Sequence, residues 1–463
     1  MGKREDINYK LPSGFDIELL PGERRLELFL LETISSVFER YGFTPLETPA
    51  VERLEVLQAK GNQGDNIIYS IEPIVPQDMG DSNESSDGSS RGLKFDQTVP
   101  LAAYIARHLN DLTFPFARYQ MDMVFRGERA KKGRYRQFRQ CDIDVVGRGS
   151  LDLLYDAQMP AIIAEIFESI DIGKFLIRIN NRKVLTGFFK GIGIEKDKIK
   201  TCINIVDILE KVGASKVKKE LEKEGISENI ADEIIEFINI KGGSEEIFAT
   251  LDRKSTELKE SEDFLVGIKE LKDVIKGVRS LKVSEDKYCI DLSIARGLDY
   301  YTGTVYETTL VGYENLGSIC SGGRYEELVG TFVGDKLPGV GISIGLTRLM
   351  SKLMDANILK PMSASPAQVM VLNLDRDLID TYLEISQNLR QAGIKVVTRF
   401  EKQKIGKQIQ QADRLGIPLC LLIGKEEYTQ NQCRIKILNT GEQLDISLEN
   451  LVEEVRKILN NQS

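Results

Sequence analysis

Half of the fourteen residues from Arg126 to Arg139 are arginine or lysine, in a chain whose formal net charge is −9. The full stretch, FRGERAKKGRYRQFRQCDIDVVG (125–147), carries only Glu128 as an acid before Arg139. A guanidinium is planar and grips phosphate or carboxylate through two parallel N–H groups. A loop holding several of them against an acidic background is an anion site, and the fold must be built to present it.

Composition narrows the remaining choices. A chain of 463 residues exceeds one hydrophobic core and predicts two or three domains. No run of about eighteen apolar residues exists, so no membrane span is expected. The first ten residues, MGKREDINYK, are charged with no apolar stretch behind them, and Asp6 stands where a myristoylation signal wants Ser or Thr. A cytoplasmic location is the expectation. The six cysteines are scattered with no C-x-x-C pair, and His108 is the single histidine. No His/Cys metal cluster is expected. His108 falls in TVPLAAYIARHLND, a predicted helix, so the chemistry is expected to proceed without a histidine base.

Along the chain, PGERRLELFLLETISSVFERYGF spaces Leu26, Phe29, Leu30, Ile34, Val37 and Phe38 as one helical face ending near Gly42. GFTPLETPAVERLEVL reads as extended, with prolines that suit an edge or interface strand. Residues 77–92 are polar and Gly/Ser-rich, a solvated loop between strands NIIYSIEPIV and LKFDQTVPL. LDLLYDAQMPAIIAEIFESIDI predicts a helix leading into strand FLIRINN. From about 190 to 280 the chain is Lys/Glu-rich and helical. KYCIDLSIA and GTVYETTLV alternate as strands, a short strand precedes Gly322-Gly323, and GVGISIGLTRLMSKLM is a strand entering a helix. From Pro366, strands VMVLNL, IKVVTRF and IPLCLLIG alternate with helices, which implies a parallel or mixed sheet. A turn at Thr440-Gly441 and a last helix close the chain.

Three motifs in order, the basic stretch at 125–147, ARGLDYYTGTVYE (295–307) and SGGRYEELVG…GVGISIGLTRL (321–349), resemble motif 2, the histidine-specific motif and motif 3 of the class II histidyl-tRNA synthetase family. The resemblance covers almost the whole chain. It implies an α+β fold: an antiparallel-sheet catalytic core flanked by helices (1–190 and 281–360), a helical insertion (191–280), and a C-terminal α/β anticodon-binding domain (366–463). The helix and strand before Val51 resemble motif 1, which implies a homodimer. The implied substrates are L-histidine, ATP with Mg²⁺, and tRNA(His).

Aminoacylation starts with a carboxylate already ionised at neutral pH, so the site needs preorganised cations rather than a base. The resemblance places Arg126 on the α-phosphate, Arg348 on the γ-phosphate, Glu128 and Phe138 around the adenine, and Arg296 beside the α-phosphate. It assigns Asp144 and Tyr301 to the imidazole and Asp96, Thr98 and Gln140 to the α-ammonium, with Tyr300 and Tyr325 lining the pocket. Arg399, Lys402, Lys404, Lys407 and Arg414 form a C-terminal basic tract suited to RNA. The sequence departs from the family at Gln97 and Lys94, at Thr347, where Glu is usual, and at Arg139, where His or Tyr is usual. A non-catalytic regulatory subunit of ATP phosphoribosyltransferase and a synthetase-like tRNA-sensing module are the rival expectations. The first lacks the C-terminal domain and catalytic positions; the second needs a partner enzymatic domain.

Overall fold

Alternation of polar and apolar residues from Ala117 to Met123 and from Gln140 to Val145, inside two ten-residue strands, sets the architecture. A computed structural model describes residues 8–59, 67–72, 90–129, 133–258, 261–295, 301–326 and 334–461. Among these, α-carbon contacts separate two compact units: one of residues 1–17 and 30–359, the other of 18–29 and 360–463.

The chain enters through α1 (Pro21–Arg40). Leu26, Leu30, Ile34, Val37 and Phe38 are buried as the spacing requires, whereas Phe29, expected on that face, is 45% exposed. After β1 (Thr44–Pro45) and β2 (Val51–Arg53), the stretch read as extended turns helical in α2 (Leu54–Gln58). Strands β3 (Ser70–Ile71) and β4 (Arg91–Leu93) complete a three-stranded sheet with β2. The loop expected at 77–92 lies outside the described residues except for 90–92. The strand expected through LKFDQTVPL stops at Leu93, because Asp96 Oδ1 accepts the Val99 N–H (3.1 Å) and starts α3 (Thr98–Arg107).

The large sheet comes next. Strands β5 (Phe116–Phe125) and β6 (Gln137–Val146) lead to α4 (Leu154–Ser169), β7 (Phe175–Asn181) and α5 (Arg182–Gly191). Helices α6 (Lys196–Asp207), α7 (Leu209–Val212), α8 (Ala214–Lys223), α9 (Glu228–Ile238), α10 (Ser244–Glu257) and α11 (Glu262–Ser280) precede the return. The return consists of β8 (Tyr288–Ile290), β9 (Thr304–Leu310), β10 (Cys320–Tyr325), β11 (Gly339–Ile344) and α12 (Leu346–Asp355). Gly322 and Gly323 lie inside β10 rather than after a strand.

The eight strands order as β1-β5-β6-β11-β10-β9-β7-β8, parallel only at β1–β5 and β7–β8. One face is apolar: Cys141, Ile143, Val145, Val340, Ile342, Ile344, Ile177 and Ile179 are buried, and α4 packs on strands β7, β10 and β11. Arg324 of β10 is anchored on α4, its Nε 3.0 Å from Asp156 Oδ2 and its Nη2 2.7 Å from it. The opposite face carries the polar residues.

The second unit holds strands β12 (Val369–Val371), β13 (Val396–Thr398), β14 (Leu419–Leu422), β15 (Gln432–Ile437) and β16 (Gln443–Ser447). Helices α13 (Ile379–Gln391), α14 (Ile405–Leu415), α15 (Lys425–Thr429) and α16 (Leu451–Asn460) accompany them. The sheet is mixed as expected: β13-β12-β14 is parallel and β14-β15-β16 antiparallel. The two antiparallel strands flanking Thr440-Gly441 are an addition to the expected pattern. The α+β architecture, an antiparallel-rich core with helices and a C-terminal α/β unit, is the one the sequence implied.

Candidate active site

Strand β6 puts Phe138, Gln140, Asp142 and Asp144 on one face, because side chains two residues apart share a face at about 7 Å spacing. Cross-strand register then extends this polar surface. Arg118 pairs with Asp144, Gln120 with Asp142 and Asp122 with Gln140 on β5. On β11, Gly341 faces Asp144 and Ser343 faces Asp142. One row runs Gln120, Asp142, Ser343, Ser321, Glu307 and Arg178 across six strands.

Asp144 is pinned from two sides. Arg118 Nη2 donates to Oδ2, and the Tyr325 hydroxyl donates to Oδ1 at 3.0 Å. All three are buried, with Arg118 fully inaccessible. A carboxylate held at both oxygens in this way is fixed in one orientation. Space above the sheet comes from two glycines. A Cβ on Gly341 would lie 2.3 Å from Asp144 Oδ1, and one on Gly323 would lie 2.8 Å from Tyr301 Cδ1. Tyr301 therefore crosses Gly323 beside the carboxylates; burial and then Asp144 and Asp142 hold its hydroxyl proton well above the usual tyrosine range. Burial and Asp144 do the same for Tyr325.

At the other end of the face, Gln140 Nε2 donates to Ser343 Oγ at 2.7 Å. Asp96 and Thr98 stand half-buried at the start of α3, and Asp96 acts electrostatically on both Asp142 and Tyr301. The turn between them is held from beneath by residues marked in sequence as departures. Gln97, fully buried, donates to the carbonyls of Asp122 (3.2 Å) and Gln140 (3.1 Å). Lys94, also fully buried, donates to Asp122 and to the Thr48 carbonyl (2.9 Å).

Farther along the sheet lies the basic segment. Arg126 stacks its guanidinium over the Phe138 ring, 5.1 Å from the centroid, and donates Nε to the Phe95 carbonyl (3.0 Å). This contact leaves an aromatic face and a cation side by side. Glu128 accepts from Arg134 and, through its carbonyl, from Arg136 Nε (3.0 Å). Arg348 is exposed in the first turn of α12; burial and the Arg348 charge lower the Lys352 amine to about 8. Thr347 Oγ1 accepts the Arg139 backbone N–H at 2.8 Å, tying α12 to β6.

The structure thus brings together Asp144, Tyr301 and Tyr325, sets Gln140 on the same face near Asp96 and Thr98, and joins Arg126 to Phe138. It places Glu128 against Arg134 and leaves Arg348 facing outward. Arg296 and Tyr300 lie outside the described residues. The segments flanking them are braced: Asn180 Nδ2 donates to the Ile294 carbonyl (3.0 Å), Arg182 Nη1 to that of Ala295 (2.6 Å), and the Thr302 N–H to that of Arg324 (2.8 Å). Sequence reasoning missed Arg118, Asp142 and Ser343. The alternation in ARYQMD and RQCDID carried the signal for the first two, while Ser343 becomes visible only through the β6–β11 register.

An antiparallel sheet with helices behind it, and with an arginine-on-aromatic contact and a pinned carboxylate along one strand, defines a class II aminoacyl-tRNA synthetase core. The histidyl-tRNA synthetase family profile matches residues 17–349 and the anticodon binding domain profile matches 368–458. The histidine–tRNA ligase of Nostoc punctiforme is 64% identical over 470 aligned residues, covering 99% of this chain and all of the relative. That of Clostridium tetani is 41% identical, covering 98% and 99%. The crystal structure of histidyl-tRNA synthetase from Nostoc sp. PCC 7120 superposes with a TM-score of 0.90 at 60% identity, covering 98% of this chain and all of that one. The chain belongs to the histidyl-tRNA synthetase family.

Proposed function

We propose that the chain is a histidine–tRNA ligase, which condenses L-histidine with ATP to histidyl-adenylate and pyrophosphate and then transfers the histidyl group to the 3′ end of tRNA(His). The observation that carries this reading is the pinning of Asp144 by Arg118 and Tyr325, on the same strand face as Gln140 and Phe138. Full-length relatives that are histidine–tRNA ligases support it.

In this reading, histidine lies along β6 with its imidazole on Asp144 and Tyr301, its ring pocket closed by Tyr325 and Tyr300, and its ammonium toward Asp96, Thr98 and Gln140. Adenine lies against Phe138, beside Glu128. The ionised carboxylate attacks the α-phosphorus; the bond to the bridging oxygen breaks and pyrophosphate leaves with that electron pair. No protein base is required. Arg126 and Arg296 face charge growing on the α-phosphate, and Arg348 takes the γ-phosphate. Mg²⁺ enters on ATP, held mainly by phosphate oxygens; among the described residues no cluster of His, Cys, Asp or Glu is arranged to hold a metal.

The wider proposals follow the same family logic. Residues 1–190 and 281–360 form the catalytic core, 191–280 a helical insertion leaning on the tRNA acceptor stem, and 366–463 the anticodon-binding domain. A homodimer forms through α1 and the segment near Pro49, and the enzyme works in the cytoplasm. No helix among the described residues is long and apolar enough to cross a membrane. The regulatory-subunit reading is not favoured. A Bacillus halodurans ATP phosphoribosyltransferase regulatory subunit/histidyl-tRNA synthetase structure shares the fold (TM-score 0.71) at only 16% identity. ATP–pyrophosphate exchange tests the proposal: exchange should require L-histidine, and its absence in folded protein would refute it.

A further inference from the structure

Asp142 occupies the middle of the polar face, between Gln140 and Asp144 on β6, and no role in the reaction has been given to it. It is 4% exposed, and its Oδ1 has no hydrogen-bond partner. Three neighbouring acceptors share that condition: the buried Oε1 atoms of Gln97, Gln120 and Gln140. The three glutamine amide groups are already committed. The Gln97 amide serves the carbonyls of Asp122 and Gln140, Gln120 Nε2 serves Thr48 Oγ1 (3.0 Å), and Gln140 Nε2 serves Ser343 Oγ (2.7 Å). Arg118 turns to the Asp144 carboxylate, approaches only the backbone carbonyl of Asp142 (3.5 Å), and leaves its Nε unpaired.

Buried acceptors without donors are costly and are kept where a ligand brings the donors. A primary ammonium brings three N–H groups and a full positive charge, whereas an imidazole brings at most two N–H groups. We infer that Asp142 receives an N–H of the substrate's α-ammonium and so makes the site selective for the amino acid over its deaminated analogue. This rests on the proposed function, because it takes histidine to lie along β6.

The surroundings fit an arriving cation. Burial, with Asp144 and Asp96 adding to it, pushes the Asp142 carboxyl up to about 7, against Arg118 and a Ser343 hydrogen bond that lower it. Tyr301 and the buried Cys320 thiol are titratable groups that feel its charge, and both are held protonated, their pKa values raised by burial first and by the carboxylates second. An ammonium at Oδ1 pulls the carboxyl back to its ionised form, so binding releases a proton near neutrality.

The test is calorimetric titration of the full-length protein with L-histidine and with 3-(imidazol-4-yl)propionate, which keeps ring and carboxylate but lacks the ammonium. Wild type should prefer histidine. Asp142→Asn, nearly isosteric, should weaken histidine about tenfold to a hundredfold, the range for a lost hydrogen bond to a charged group, while leaving the analogue's affinity unchanged. The wild-type advantage over Asp142→Asn for histidine should grow from pH 6 to pH 8. Asp142→Ser serves as the second variant should the first fold poorly. Equal weakening of both ligands, an unchanged preference, or a pH-independent ratio would overturn the inference. Failure of wild type to bind histidine at all would instead refute the proposed function.

Discussion

Tyr325 and Asp144 stand 181 residues apart in sequence, yet the tyrosine hydroxyl donates to Asp144 Oδ1 across 3.0 Å. Arg118 holds the other oxygen, so the carboxylate is presented in one orientation. Removing the hydroxyl leaves a buried acceptor unsatisfied, at about 1–3 kcal/mol. Tyr325→Phe should therefore raise the KM for histidine roughly 5- to 100-fold and leave that for ATP within about twofold. Steady-state pyrophosphate exchange measures both constants.

Gly341 makes room for the same carboxylate. A Cβ there would lie 2.3 Å from both Asp144 Oδ1 and the Ile143 carbonyl oxygen. Gly341→Ala should cost about 1–3 kcal/mol of stability, as overpacking does, and displace Asp144 from its partners. A melting curve and histidine titration check this together; near-wild-type histidine affinity would show that the strands yield instead.

Thr347 ties α12 to β6. Its hydroxyl accepts the Arg139 N–H, next to Phe138 on one side and to Arg348 on the other. Thr347→Val deletes the acceptor and should raise the KM for ATP several-fold, with Thr347→Ser restoring it. Should histidine rather than ATP respond, the link serves the pocket at Gln140.

Ionised Asp142 is a strain on the empty protein. Its folded-state pKa is raised from 3.8 to about 7, so the folded state binds more protons than the unfolded one between those limits. Stability contributed by this group is present at low pH and declines as pH rises through the folded value near 7. Melting of ligand-free protein should show Asp142→Asn gaining on wild type between pH 5 and pH 8. A constant difference would mean that the carboxyl is ionised throughout.

Much of the fold is legible in the sequence. The spacing of Leu26, Leu30, Ile34, Val37 and Phe38 marked α1, and its buried face matches except at Phe29. Arg126, Phe138, Gln140, Asp144 and Tyr301 are picked out by resemblance, and β6 with Gly323 gathers them along the polar face. Arg118 was not legible, because an isolated arginine in a strand acquires meaning only when register sets it opposite Asp144. Asp142 escaped for a similar reason: its neighbours Gln97 and Gln120 converge through the β5–β6 pairing and the α3 turn. Strands β15 and β16 went unread because their residues alternate around a short turn with no helix between them.

The central claim is that Asp144 reads the substrate's imidazole. Asp144→Asn keeps the volume but removes the charge that Arg118 pairs with, and pyrophosphate exchange then separates the two substrates. Because the imidazole contact exists before and during reaction, its loss should mainly raise the KM for histidine, roughly 10- to 100-fold, with the KM for ATP within about twofold. A raised KM for ATP with histidine unaffected would place the imidazole elsewhere and contradict the account.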